Sequence, residues 1–308
     1  MALYLFFFFS GISGLIYQVV WVRVFGNVFG NTVYSTSLVI AVFRLGLGVG
    51  SFVAGAWADR RYAEQGPSLL RAYGYFELLI GALGLAIAAL LPHLGQVSAL
   101  VSSYSRGSAG WYDLSWTSYL LRAAIAVVLL TPITLLMGGT LTLLIRHLVR
   151  SDLGTGGWRI AVLYAVNTGG AALGCFLTDF MLVPSAGLRG AQMVAVALNF
   201  VAAVGALYLA SREQPKTVPS RQRDRPSVGD RLETVPSSLT VPLTGAALAI
   251  SGFAAMGLEI LWFRHFSILL GGFRAVFSLL LSVILIGIGA GSLWPPSSIV
   301  APRDRRSG

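Results

Sequence analysis

Ser10-Gly11-Ile12-Ser13-Gly14-Leu15-Ile16-Tyr17-Gln18-Val19-Val20-Trp21-Val22-Arg23 has a second version 241 residues later, Ser251-Gly252-Phe253-Ala254-Ala255-Met256-Gly257-Leu258-Glu259-Ile260-Leu261-Trp262-Phe263-Arg264. The same offset carries Gly46-Leu47-Gly48-Val49-Gly50-Ser51 onto Gly287-Ile288-Gly289-Ala290-Gly291-Ser292, and 13 of the 42 positions from 10 to 51 are identical without a gap. Two unrelated apolar helices share composition, but not the placement of Ser-Gly, Trp-x-Arg and Gly-x-Gly-x-Gly-Ser. The stretch is an internal duplication, a construction common among membrane transporters.

Composition sets the surroundings of that repeat. The 308 residues are 56% hydrophobic and 11% charged, with a mean hydropathy of +0.76. Soluble proteins carry roughly 25% charged residues, so much of the usual water-facing surface is missing. The apolar runs reach the ~20 residues that a spanning helix needs. An all-α, polytopic membrane protein is therefore expected, with the lipid bilayer as its solvent.

Eight apolar segments can be marked, at about 3–25, 33–57, 69–91, 118–145, 159–183, 187–210, 243–266 and 273–294. The first lacks a basic leader and is too long for a signal-peptide core, so it reads as a retained helix. The expected organisation is a six-helix bundle over 1–211, a flexible linker over 212–242, a two-helix repeat over 243–294 and a basic tail over 295–308. The linker reading rests on the five prolines and many charges between Ser211 and Pro242.

The net charge of +10 raises the question of nucleic acid. The basic residues lie mostly in connections rather than in one basic domain, and no nucleic-acid partner is expected. With the N-terminus inside, 15 of the 22 basic residues fall on the inner side, six on the outer side, and Arg44 within the second segment. That bias predicts an inner (plasma) membrane protein with both termini cytoplasmic. The 93–117 connection is then the long outer loop, where Trp111, Tyr112 and Trp116 suit an interfacial aromatic belt. The single cysteine, Cys175, excludes a disulfide framework, and His93, His147 and His265 are too scattered for a metal site. No metal and no cofactor are expected.

Five polar residues inside apolar segments are the candidate intramembrane site: Gln18, Arg44, Glu77, Asn167 and Glu259. A charge such as Arg44 at mid-segment costs about 3 kcal/mol on insertion scales and needs a partner or a water-filled cavity. It reads either as a cavity charge for an anionic group or as a structural partner for Glu77. Glu77 lies between Gly74 and Gly81 on one helical face, where backbones approach closely. A buried carboxylate there suits a cationic substrate, a proton relay or plain helix–helix hydrogen bonding. Gln18 and Glu259 are repeat equivalents, and Asn167 shares a face with Gly170 and Gly174. Trp21-x-Arg23 and Trp262-x-Arg264 are expected to anchor and snorkel at outer helix ends. Asp179 is expected to be solvated, and Pro132 with Gly138-Gly139 is a place for a helix break or a kink. The two Gly-x-Gly-x-Gly elements lie in or at the ends of spanning segments, so they read as helix-packing surfaces rather than nucleotide loops.

A wider set of motifs resembles one family. It comprises Ser10-Gly11 with Ile16-Tyr17-Gln18-Val19-Val20-Trp21-x-Arg23, Phe43-x-x-Gly46 with Gly50-Ser51, Ala58-Asp59-Arg60, and Glu77-Leu78. Met137-Gly138-Gly139-Thr140-Leu141, Leu163-Tyr164-Ala165-Val166-Asn167-Thr168-x-Gly170 and Val183-Pro184-x-x-Gly187-Leu188-Arg189-Gly190 complete it. Over about residues 5–292 the chain is similar to the membrane half of fused major-facilitator-like/spermidine synthase proteins. Gly55-x-x-x-Asp59-Arg60-Arg61 also loosely resembles the inner loop of major facilitator transporters. The resemblance implies a link to polyamine metabolism or transport, with a polyamine or other small cation as ligand and a separate aminopropyltransferase domain as partner. Gln18 stands where that family has a glutamate, Arg44 replaces an uncharged residue, and no glycine-rich donor site follows Ser292. The chain is therefore expected to be non-catalytic alone and to be a truncated, frameshifted or split form. The alternatives are a major-facilitator-type secondary transporter of a small cation, or a membrane anchor for a separate enzyme. Purified chain incubated with putrescine and decarboxylated S-adenosylmethionine is expected to yield no spermidine by chromatography; turnover would contradict this reading.

Overall fold

In an apolar medium a backbone can satisfy its N–H and C=O groups only within itself, so long uncharged runs become helices. The computed structural model describes residues 1–30, 33–63, 68–106, 112–149, 156–212, 240–270 and 275–294. Its first three helices are α1 (Ala2–Phe29), α2 (Val33–Ala63) and α3 (Leu69–Leu90). A short 3-10 turn (Leu91–His93) and α4 (Leu94–Leu100) lead into an antiparallel hairpin of β1 (Tyr104–Arg106) and β2 (Tyr112–Leu114), with Tyr104 opposite Leu114. Then come α5 (Trp116–Val149), α6 (Gly156–Leu177), a π turn (Thr178–Leu182), α7 (Val183–Arg212), α8 (Thr240–Leu269) and α9 (Ala275–Leu293). Most of the expected linker and tail (213–239 and 295–308), together with Trp111, lie outside the described residues.

Among the described residues, seven helical runs are long and apolar enough to cross a membrane. The eight expected segments become seven because the fifth and sixth join into one 56-residue run, Gly157–Arg212. A straight helix of that length would extend ~84 Å, against an apolar bilayer core of ~30 Å. The run is not straight: Gly187 sits at φ 70°, ψ −179°, a conformation that a side chain would oppose. The joint between these two segments is thus a π turn and a glycine break rather than a loop.

By packing, the chain divides into one unit of Met1–Ala210 with Phe277–Gly308 and a second of Ser211–Val276. Glycines bring backbones close in three helix pairs of the first unit. In α2 against α5, a methyl added at Gly46 or Gly50 would overlap Thr134 or the Leu135 carbonyl, and one at Gly138 would overlap the Leu47 carbonyl. In α1 against α6, Gly11 faces the Asn167 carbonyl, Gly170 that of Phe8 and Gly174 that of Ile12. In α3 against α7, Gly74 faces Leu207 and Gly81 faces Asn199. Phe7, Leu69, Leu70, Tyr73, Leu143 and Leu163 belong to the apolar core beside these pairs.

The packing role expected of Gly-x-Gly-x-Gly therefore holds at Gly46 and Gly50, while Gly48 has nothing within 4 Å. In the second copy Gly287 and Gly291 have nothing within 4 Å, and Gly289 makes only ordinary contact with Thr168 at 3.7 Å. α5 runs unbroken through Pro132 and Gly138-Gly139. At its other end Arg122 clamps the loop to α1, donating to the Phe29 carbonyl at 2.9 Å and to Ser102 Oγ at 2.7 Å. Trp116 is exposed, as a belt residue would be.

Gly50 and Gly48 form an internal control. Gly50→Val should lower the thermal unfolding temperature of detergent-purified protein, with an overpacking cost of about 1–3 kcal/mol. Gly48→Ala should leave it unchanged or raise it, because alanine favours the helix and meets nothing.

Candidate functional site

Seven residues is close to two helical turns, so side chains seven apart stack on one face. Three helices of the first unit use that spacing together: Ser10 and Tyr17 on α1, Glu77 and Gly84 on α3, and Gln192 and Asn199 on α7. In the first layer Ser10 Oγ donates to Glu77 Oε1 at 2.6 Å, and Asn199 Nδ2 donates to Glu77 Oε2 at 2.6 Å. In the second, Gln192 Nε2 donates to the Gly84 carbonyl at 2.8 Å, while the Tyr17 hydroxyl lies where a Cβ on Gly84 would fall. α7 meets the layers in reverse order, as a helix antiparallel to α1 and α3 must.

Glu77 is 0% exposed, and Tyr17, Tyr73, Gln192 and Asn199 are all at 1% or less. The Tyr73 hydroxyl lies beside Ser10 and Glu77 and interacts with both. The Tyr17 hydroxyl, Gln192 Oε1 and Asn199 Oδ1 are buried without a hydrogen-bond partner. The cluster is therefore rich in oxygen and holds one carboxylate whose hydrogen-bond donors are neutral. A buried carboxylate in such a setting favours taking up a proton or a cation over standing alone as a charge.

Of the five residues singled out from sequence, Glu77 is the one at the centre of this cluster. Gln18 is buried on α1, with Nε2 making no hydrogen bond. Asn167 is half-buried on α6, its carbonyl pressed against Gly11. Arg44 is half-buried on α2, and Glu77 takes its hydrogen bonds from Ser10 and Asn199. Glu259 lies on α8 of the second unit and is 8% exposed. Ser10, Tyr17, Tyr73, Gln192 and Asn199 were not singled out. Their signal was the shared seven-residue step, which becomes visible only once three helices are aligned.

Two expectations at the repeat motif change. Trp21 is fully buried rather than interfacial, stacked on Tyr17 with ring centroids 5.1 Å apart. The reason is that α1 continues to Phe29, about one turn past the expected end. Arg23 does not snorkel: Arg23 Nη2 is 2.7 Å from Asp179 Oδ1, with side-chain exposures of 15% and 1%. Asp179, expected to be solvated, sits on the π turn and also accepts from Ser278 Oγ at 2.6 Å. Ser282 Oγ donates to the Ala172 carbonyl at 3.1 Å, so α9 is stitched to α6 and the π turn.

A further groove of about 400 Å³ lies between α2 and α5, lined by Ser51, Gly55, Asp59, Thr142 and Arg146 among others. Arg146 holds Asp59 through two contacts, at 2.8 and 2.5 Å, on an exposed surface. Among the described residues no group of three or more His, Cys, Asp or Glu is placed to hold a metal ion. Comparison of the chain with protein-family models, curated proteins and solved structures finds no match.

The Arg23–Asp179 pair gives a measurable consequence. Arg23→Met leaves a buried carboxylate without its cation and should cost about 3–5 kcal/mol in thermal or denaturant unfolding. The double variant Arg23→Met/Asp179→Leu should recover most of that loss.

Proposed function

We propose that the chain is a multi-pass membrane protein that binds and moves a small cation, with Glu77 as the centre of its cation chemistry. The observation that carries this reading is the burial of Glu77 on three-helix contact with neutral donors only, Ser10 and Asn199. Intramembrane carboxylates are expensive and mark ion pathways and proton relays. Seven apolar helical runs are compatible with this setting. Reading the Gly157–Arg212 run as two passes joined at Gly187 is consistent with eight passes, six in a first set and two in a repeated set; the major-facilitator-like arrangement comes from the family resemblance. The charge bias of the connections supports both termini on the inner side of the plasma membrane.

The ligand class follows from the family resemblance: a polyamine or a related small cation. The buried Glu77 carboxylate supplies the negative charge that transport of such a cation, or of an ion coupled to it, draws on. A partnership with a separate aminopropyltransferase domain belongs to the same reading.

Reconstitution tests it. Proteoliposomes holding the chain should accumulate labelled putrescine or spermidine, or an inorganic cation, and Glu77→Gln should reduce uptake at least tenfold, about 1.4 kcal/mol. Absence of uptake for every cation tried would overturn the transport reading and favour a membrane anchor for a separate enzyme.

A further inference from the structure

Charge, donors and space at the Glu77 cluster can be weighed separately. Around the carboxylate, α1 presents Ser10 and Tyr17, α3 presents Tyr73, and α7 presents Asn199. Of these, only the two tyrosines titrate, and neither brings a positive charge. An isolated carboxylate withdrawn from water costs several kcal/mol unless a proton or cation joins it.

The neutral oxygens point the same way. Asn199 spends Nδ2 on Glu77 Oε2, which leaves its geminal Oδ1 beside the carboxylate, buried and without a donor. The Tyr73 hydroxyl lies beside the same carboxylate and interacts with it and with Ser10. Two turns along, the Tyr17 hydroxyl and Gln192 Oε1 repeat the pattern. Buried polar atoms are rarely left unpaired, and the amide oxygens Asn199 Oδ1 and Gln192 Oε1 are acceptors only, so a proton- or charge-bearing guest completes them.

Space limits what the guest can be. A single added methyl at Gly84 would strike the Tyr17 hydroxyl, one at Gly74 would strike Leu207, and one at Gly81 would come within 3.4 Å of Asn199 Cβ. Helices this close leave no room for an aliphatic diamine between them. A guest without a carbon chain remains.

We propose that the α1–α3–α7 junction is a coupling-ion site that takes one compact monovalent cation, a proton or a sodium ion, held by Glu77 with Asn199 Oδ1 and the Tyr73 hydroxyl. This rests on the cation-handling reading above and narrows it: the organic substrate binds elsewhere, and Glu77 holds the ion that drives it. Oxygen-only ligation suits a hard cation such as sodium, and a proton uses the same carboxylate.

The test uses the purified full-length chain in detergent and reads thermal unfolding, independent of any transport assay. One arm raises sodium at constant ionic strength with choline as replacement; the other lowers pH without sodium. A ligand that binds only the folded state raises its unfolding temperature. A sodium site gives a rise in the first arm, with less sodium needed as pH increases; a proton site responds in the second arm alone. Glu77→Gln should abolish either response. Ser10→Ala should move the midpoint of the pH arm, and Tyr73→Phe should raise the half-saturating sodium several-fold, so the test stands if Glu77→Gln does not fold. A wild-type chain insensitive to both cations, or variants that respond as the wild type does, would overturn the proposal. Failure of polyamine uptake with a preserved cation response would refute the substrate reading alone.

Discussion

Close approach of helix backbones through glycine is the constraint on which the first unit depends. Three pairs use it, α1 with α6, α2 with α5, and α3 with α7, and in each a single Cβ would meet a carbonyl or a side chain. Apolar helices in an apolar medium gain little from the hydrophobic effect, so packing contact and interhelical hydrogen bonds must hold them together. Glycine provides the first by letting backbones touch. It also makes the second possible, because Ser10, Glu77 and Asn199 can reach one another only across short interaxial distances.

The polar column follows from that geometry. Its members sit seven residues apart on three helices, which places a carboxylate in one layer and a tyrosine hydroxyl with a glutamine in the next. A network of this kind is sensitive to completion: satisfied groups rigidify the junction, while orphaned lone pairs carry a desolvation penalty. The orphaned Asn199 Oδ1 belongs to the same amide that donates to the carboxylate. That juxtaposition is the ground on which a cation site is proposed at the junction. The Arg23–Asp179–Ser278 set does different work, joining α1, the π turn and α9 through a buried ion pair and a hydroxyl.

The duplicated stretch shows how much one pattern can differ in its two settings. In the first copy Gly46 and Gly50 seat α5, whereas Gly287 and Gly291 of the second copy face open space. Trp21 is buried in aromatic contact, and its repeat equivalent Trp262 is 43% exposed. The repeat specifies two similar helices; the neighbours decide which of their faces are covered.

From sequence alone, the helical class, the approximate spans, the packing role of Gly46, Gly50, Gly74, Gly81, Gly170 and Gly174, and the candidacy of Glu77 beside Gln18, Arg44, Asn167 and Glu259 were legible. Each of these depends on periodicity or on the cost of a charge in an apolar run, and both are local properties of the chain. The tertiary structure alone decided that the fifth and sixth segments join through a π turn and Gly187, that Trp21 and Arg23 lie inside, and that Asp179 is paired. It alone brought Ser10 and Asn199 to Glu77, across 67 and 122 residues of chain. The physical reason is that a hydrogen bond between helices depends on their relative register and rotation, and no single helix carries that information.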